Sequence, residues 1–320
     1  MAHLTAGKWY NTGRMNTYLI WLEWPEKCFR VNGGDLRHLE TLVPGGSRVV
    51  RVRSERAFLK ALPYATHAVV WHFRREWFAL ATKLKVLATP GAGRELVSLD
   101  APKGVKLHFG GFHGAIMAES VAAFMLAWAR GFFLMAGREC SVRNWPRTWL
   151  SDKCFTLAGT RAVVVGYGRV GRAIGAKLEA LGVSVVGVTR RAPNDLKSRT
   201  ADLKNADWLV MALPSDTGTD NLLDAKLIAR LPRRCVVVNV GRGNAVDEEA
   251  LLAALRSGRI AGAYLDVFKG EPTLNRGKPV ILKEKHTKTP RNLIKTPHSS
   301  AFSAKYIKTC FDELKNDGVL

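Results

Sequence analysis

The sequence predicts an α/β protein made of two doubly wound parallel-sheet domains, and three observations carry that prediction. Short apolar runs rich in β-branched residues alternate with helix-period segments along most of the chain, the pattern of βαβ units. One such unit, residues 157–191, carries glycines in G-x-G-x-x-G spacing at its first strand-to-helix turn. The length of 320 residues suits two domains of ordinary size, and an apolar content of 47% can fill two cores.

The glycine-bearing unit organises the rest. Ala162 to Val165 is a buried parallel strand by composition. Gly166 then allows a tight turn, Gly168 lets a pyrophosphate approach the backbone, and Gly171 lets helix pack on strand. The following helix has Val170, Ile174, Leu178 and Leu181 on one face, Gly182 ends it, and residues 183–188 form a second strand. Phosphates bind at the free N–H groups and positive end of such a helix. Gly166, Tyr167, Gly168, Arg169, Val170 and Gly171 are therefore the expected dinucleotide turn. The second strand ends in Thr189, Arg190 and Arg191, where an acid would accept hydrogen bonds from the ribose of NAD. Guanidinium groups suit a 2′-phosphate instead. The expected cofactor is NADP(H), with NAD(H) possible.

Ahead of this unit, strands are expected at residues 18–22, 48–52, 68–71, 85–88 and 105–108. Helices are expected between them at 34–42, 55–62 (ended by Pro63) and 77–84. This region has no G-x-G-x-x-G and is the expected substrate domain, covering 1–111 together with a last helix at 301–320. An apolar helix over 116–135 opens the dinucleotide-binding domain, residues 112–300. Glu119 and Arg130 interrupt its apolar run, which fits a buried helix better than a membrane span. After the glycine unit come strands at 208–213, 236–240 and 260–267 and helices at 222–231 and 247–256. Asp247, Glu248 and Glu249 stand where the helix dipole favours acids. Residues 273–295 read as a loop with seven Lys or Arg and one Glu.

The formal charge of +22 is spread along the chain, without a low-complexity tail. A field of that sign draws anionic metabolites as well as nucleic acids. No zinc spacing and no RNP-like motif supports a nucleic-acid role. The five cysteines, Cys28, Cys140, Cys154, Cys235 and Cys310, show no metal-ligand spacing, so no metal is expected. Free thiols and the lack of an apolar leader at the start imply a cytoplasmic protein.

Three motifs follow the glycine unit, each at or after the end of an apolar strand: Asn239-Val240-Gly241-Arg242-Gly243, Asp266-Val267-Phe268-Lys269-Gly270-Glu271-Pro272 and Thr296-Pro297-His298-Ser299-Ser300. The carboxyl ends of strands in doubly wound sheets form the ligand crevice. In this order the motifs resemble the D-isomer-specific 2-hydroxyacid dehydrogenases. Met117-Ala118-Glu119-Ser120-Val121, Leu213-Pro214 with Thr219, and Gly91-Ala92-Gly93 resemble further segments of that family, although Asp216 replaces a Thr. Val70-Trp71-His72 and the paired arginines resemble its NADPH-using glyoxylate/hydroxypyruvate reductase branch.

The resemblance implies a Rossmann domain and a flavodoxin-like substrate domain with the crevice between them, and a homodimer through the dinucleotide domains. It implies Arg242, Glu271 and His298 as the catalytic set. His298 would exchange the proton of the alkoxide with a ring that titrates near neutrality. Glu271 would hold its tautomer and stabilise the protonated ring. Arg242 would bind the carboxylate of a small anionic 2-keto or D-2-hydroxy acid and polarise the keto oxygen. Asp266 would accept a bond from the nicotinamide amide, the alternative being a turn-capping role. Leu213, Pro214, Thr219, Val240 and Gly241 would line the cofactor, and His72, Gly91, Ala92 and Gly93 the substrate. A non-catalytic dinucleotide-sensing or corepressor-like protein on the same fold is the alternative, because fold does not set function.

Overall fold

The computed structural model describes residues 15–93, 97, 100–189, 200–271, 280–283 and 289–320. The chain packs as two compact units, one running to Phe112 and resuming over Phe302–Leu320, the other His113–Ala301.

The smaller unit is a five-stranded parallel sheet of β1 (Thr17–Trp21), β2 (Arg48–Arg51), β3 (His67–Val70), β4 (Val86–Thr89) and β5 (Lys106–Phe109). Their order β2-β1-β3-β4-β5 is the flavodoxin-like one. Helix α1 (Gly33–Leu42) starts on a reciprocal cap between Asn32 and Asp35. Ser54 caps α2 (Glu55–Ala61) at the Ala57 N–H. The helix expected at 77–84 is instead a 3-10 turn over Arg75–Ala79. Phe73 and Trp77 on either side of its start are drawn into an aromatic core with Trp21 and Phe58, and that packing overrides helical periodicity. The last helix begins at Tyr306 and ends at Asn316, shorter than expected. It buries Tyr306, Ile307, Cys310, Phe311 and Leu314 in this unit.

The larger unit holds α3 (His113–Ala129), α4 (Phe132–Met135), α5 (Arg147–Ser151), β6 (Arg161–Val165), α6 (Arg169–Glu179) and β7 (Ser184–Val188). After these come β8 (Trp208–Met211), β9 (Val236–Asn239), β10 (Gly262–Leu265) and β11 (Leu293–Lys295). The six parallel strands lie in the order β11-β10-β9-β8-β6-β7. Helices cover both faces, and β6 shows how. Ala162 and Val164 join a core with Met117, Val121, Ile174 and Leu178, whereas Val163 and Val165 join one with Leu227, Leu251 and Leu255. The order reverses between β6 and β8, which is the topological switch point of such a sheet.

Three expectations are corrected here. The apolar helix stops at Ala129, because Gly131 adopts φ +72 and a side chain there would strike Leu150. The helix expected at 222–231 is a single turn, Ala225–Ile228, capped by Asp224. The basic stretch 273–295 is more than a loop: it contains a 3-10 turn at Ile281–Lys283 and the edge strand β11. Buried Ile281 and Leu293 anchor those pieces in the core despite the surrounding charge. Among the described residues no helix is long and apolar enough to cross a membrane.

Candidate active site

The three glycines of the β6–α6 turn have separate causes. Gly166 adopts φ +91, and a Cβ there would lie 2.6 Å from the Ala212 carbonyl oxygen. A Cβ on Gly171 would lie 2.2 Å from the Gly166 oxygen, so this glycine lets α6 sit on the turn. Gly168 is different. It precedes the first turn of α6 with an ordinary φ of −83, and a Cβ there would meet nothing within 4 Å. It is bare backbone facing open space at a helix N-terminus, which fits a phosphate. Arg169 is exposed at the helix start, and Val170 packs close to Gly114 of α3. The ring of Tyr167 is packed between Gly175 of α6 and Gly187 of β7, both of which make room by lacking a Cβ. Thr189 is exposed at the end of β7, while Arg190 and Arg191 lie outside the described residues.

The ends of β8, β9 and β10 lie against one another as backbone. A Cβ on Gly241 would be 2.5 Å from the Leu213 nitrogen, and one on Gly243 2.0 Å from the Phe268 carbonyl carbon. Arg242 stands between these two contacts. Buried Asn239 shapes its turn by accepting the Gly241 N–H at 3.1 Å and donating to the Arg242 carbonyl at 3.1 Å. Arg242 is half-buried and donates from a guanidinium nitrogen to the Gly241 carbonyl at 2.9 Å. Leu213 and Val240 are buried in the two cores, and Pro214 is exposed. The hydroxyl of Thr219 closes the loop after β8, 3.0 Å from the Pro214 carbonyl oxygen and accepting the Asp216 N–H at 3.1 Å.

The structure brings Glu271 and His298 together. Nδ1 of His298 lies 2.7 Å from Glu271 Oε2, and Glu271 Oε1 accepts the Phe268 N–H at 2.7 Å. The Glu271 side chain is buried while that of His298 is 38% exposed. A carboxylate on Nδ1 favours a proton on that nitrogen and leaves Nε2 as the ring nitrogen turned away from Glu271. His298 also has φ +53, a left-handed conformation unusual outside glycine. That conformation is held by its N–H donating to the Asp266 carbonyl at 2.8 Å. Asp266, fully buried, accepts from Thr296 Oγ1 at 2.5 Å and from the Ser299 and Ser300 amides at 2.8 and 2.9 Å. The turn-capping alternative describes these contacts: Asp266 gathers the loop that presents His298. Tyr264, its hydroxyl 2.9 Å from Thr296 Oγ1, extends the network, and burial pushes its phenol up to about 12.

Two further residues gain their surroundings only in three dimensions. Glu248 is buried and accepts backbone amides on both sides of Glu271. His113 opens α3, buried, and is lowered to about 4 by that burial and then by the Arg242 and Arg169 cations. In the smaller unit, His72 follows β3 with its ring edge-on to Trp21 at 4.6 Å, and burial lowers its pKa. Gly91 donates its N–H to Thr89 Oγ1 at 3.2 Å, and Ala92 is exposed beside Gly91 and Gly93.

Fold and loops together define a dinucleotide-dependent α/β protein with a carboxylate–histidine pair at the carboxyl ends of its strands. Residues 122–300 match the family model described as D-isomer specific 2-hydroxyacid dehydrogenase, NAD binding domain. Over 212 residues the chain is 33% identical to D-3-phosphoglycerate dehydrogenase of Mycobacterium leprae, covering 62% of this chain and 39% of that protein. Glycerate dehydrogenase of Methylorubrum extorquens is 28% identical over 240 residues, 72% of this chain and 74% of that one. A D-isomer specific 2-hydroxyacid dehydrogenase from Xanthobacter autotrophicus Py2, solved with NADPH and MES, superposes with a TM-score of 0.69 at 25% identity, covering 95% of this chain and 96% of that chain. The chain spans only about two fifths of the length of the phosphoglycerate dehydrogenases it matches. It belongs to the D-isomer specific 2-hydroxyacid dehydrogenase family.

Proposed function

We propose that the chain is an NADP(H)-dependent reductase of small 2-keto acids of the glyoxylate/hydroxypyruvate kind, acting in reverse on the D-2-hydroxy acid. The observation that carries the reading is the 2.7 Å contact between His298 Nδ1 and buried Glu271. A bound nicotinamide supplies the hydride. His298 donates its Nε2 proton to the keto oxygen as the carbonyl is reduced, and takes it back in the oxidation. Glu271 keeps Nδ1–H directed at itself and favours the imidazolium through its charge. Arg242 binds the substrate carboxylate and polarises the keto oxygen. Asp266 holds the loop of His298 and is assigned the nicotinamide amide as well. Gly168 and its neighbours in the turn, Thr219, Val240 and Gly241 are the cofactor side, and Arg190 and Arg191 are assigned the 2′-phosphate. The resemblance also assigns substrate contacts to His72, Gly91, Ala92 and Gly93. An intact carboxylate–histidine pair disfavours a non-catalytic sensor.

Consumption of NADPH and NADH in the presence of glyoxylate, hydroxypyruvate and phenylpyruvate tests the reading. Turnover of at least one acid, with a lower KM for NADPH, is expected. Uncharged residues at positions 190 and 191 should raise the KM for NADPH and spare that for NADH, and equal losses would reject the phosphate assignment. We also assign a homodimer to the larger unit, supported by the exposed side chains of Phe132 and Trp145. A monomer in sedimentation at micromolar concentration would reject it. A cytoplasmic location is part of the same proposal, supported by five unpaired cysteines.

A further inference from the structure

Glu248 stands at the first position of the helix Glu248–Arg256, behind the capping Asp247, where the helix dipole favours an acid. Here it is 2% exposed. A buried carboxylate is tolerated only when its oxygens are satisfied. Those of Glu248 accept three backbone amides: Lys269 on Oε1 at 2.8 Å, and Val280 and Ile281 on Oε2 at 3.1 and 2.9 Å. Charge-assisted bonds of this kind are about twice as strong as neutral ones. The donors lie on either side of Glu271 in the chain. The amide next to that of Lys269, Phe268 N–H, is the one Glu271 itself accepts at 2.7 Å. Two buried carboxylates thus grip consecutive amides of one turn. Gly243, beside Arg242, packs on the same Phe268–Lys269 backbone.

The geometry points to Glu248 as the positioning residue that sets where the Glu271 carboxylate sits, and through it the tautomer and charge of His298. This rests on the reading of Glu271 and His298 as the acid–base pair. Glu248 touches neither substrate nor cofactor. A helix-end acid that only stabilised the fold would leave the chemistry of the folded fraction unchanged. A positioning acid would not, because a displaced Glu271 weakens its contact with the imidazole.

The test uses Glu248→Gln, Glu248→Asp, Glu271→Gln and the double variant Glu248→Gln/Glu271→Gln in the full chain. The glutamine is isosteric but loses the charge and turns an amide N–H2 toward amide donors. Glu248→Gln is expected to lower kcat about tenfold to a hundredfold, as lost outer-sphere partners do, with the cofactor KM within about twofold of wild type. Its pH limit for keto-acid reduction should move to lower pH, in the same direction as that of Glu271→Gln. The double variant should be no slower than Glu271→Gln by more than about twofold, because both act on one contact. Glu248→Asp keeps the charge and should recover part of the rate; it carries the test if the glutamine variant fails to fold. An NMR titration of the His298 ring, assigned by its loss in His298→Ala, reads the same coupling without turnover: its midpoint should fall in Glu248→Gln and in Glu271→Gln. If the folded Glu248 variants keep wild-type kcat and His298 titration, or if the double variant's losses multiply, the positioning role is wrong. If wild type reduces none of the keto acids, the enzymatic reading fails, and the His298 titration still decides whether Glu248 governs the pair.

Discussion

The carboxyl ends of β9, β10 and β11 and the carboxyl ends of β6 and β7 serve the same sheet by opposite means. On the first side every named side chain is tied down. Asn239 holds the turn of Arg242, Asp266 gathers the loop of His298, and Glu271 is bonded to both backbone and imidazole. On the second side the decisive feature is the absence of a side chain: Gly168 leaves open space before α6, and Tyr167 folds away against Gly175 and Gly187. The proposed function accounts for the difference: proton transfer needs a donor held within hydrogen-bond reach of one atom, so side chains are locked, and phosphate binding needs unshielded amides and a helix end, so side chains are kept out.

The largest expected effect breaks the locked side. His298→Ala should cut turnover by about two to four powers of ten, the ordinary worth of a placed proton donor. Cofactor affinity, read by fluorescence titration, should stay within a few-fold. A loss of both would mean that the two sides are one site energetically and not two.

The next breaks the bare side. Gly168→Val adds a Cβ that would meet nothing within 4 Å in the free protein. It should leave the Tm nearly unchanged and weaken cofactor binding by about tenfold or more, the cost of obstructing a charge-assisted phosphate contact. Gly171→Val should instead unfold or strongly destabilise the larger unit, since its Cβ would collide with the Gly166 carbonyl. If Gly168→Val binds NADPH and NADH as wild type does, no pyrophosphate lies there.

Glu271→Gln sharpens the comparison within the locked side. It preserves a hydrogen bond to the ring and removes the charge that favours imidazolium. In the proposed reaction, reduction uses the protonated ring, so its upper pH limit should move down, and oxidation uses the neutral ring and should become active at lower pH. Rate profiles in both directions measure this, and an unmoved profile would show that Glu271 does not act on His298.

The smallest expected effect concerns His113, where α3 meets both sides beside Arg242 and Arg169. Its pKa falls from 6.5 to about 4 on folding, so the folded state resists a proton that the unfolded chain accepts. Stability from this group is complete above pH 6.5 and is lost as pH falls from 6.5 toward 4. The loss amounts to at most about 3 kcal/mol. Urea denaturation at pH 7 and pH 5 should show His113→Leu with a shallower pH dependence than wild type. Equal slopes would mean that the imidazole is charged where it is buried.

Much of this was legible along the chain because it is local. Strand and helix periodicity, the spacing of Gly166, Gly168 and Gly171, and the acids before Ala250 are consequences of backbone sterics and of neighbours within one turn, which a linear reading captures. The three motifs were legible too, since each is a short turn at a strand end. Other features rest on partners far apart in sequence. Glu271 and His298 are separated by 27 residues, Asp266 and Ser300 by 34, and Glu248 and Ile281 by 33. Register in the sheet decides whether such groups meet, because pairing β10 with β9 and β11 sets which loop ends stand side by side. For that reason Asp266 emerged as the residue that shapes the His298 loop, Glu248, read as an acid that its helix dipole favours, is also a buried acceptor of three amides, and a basic stretch read as loop supplied an edge strand. Burial, unlike periodicity, is a property of the packed chain, and it decided what each carboxylate does.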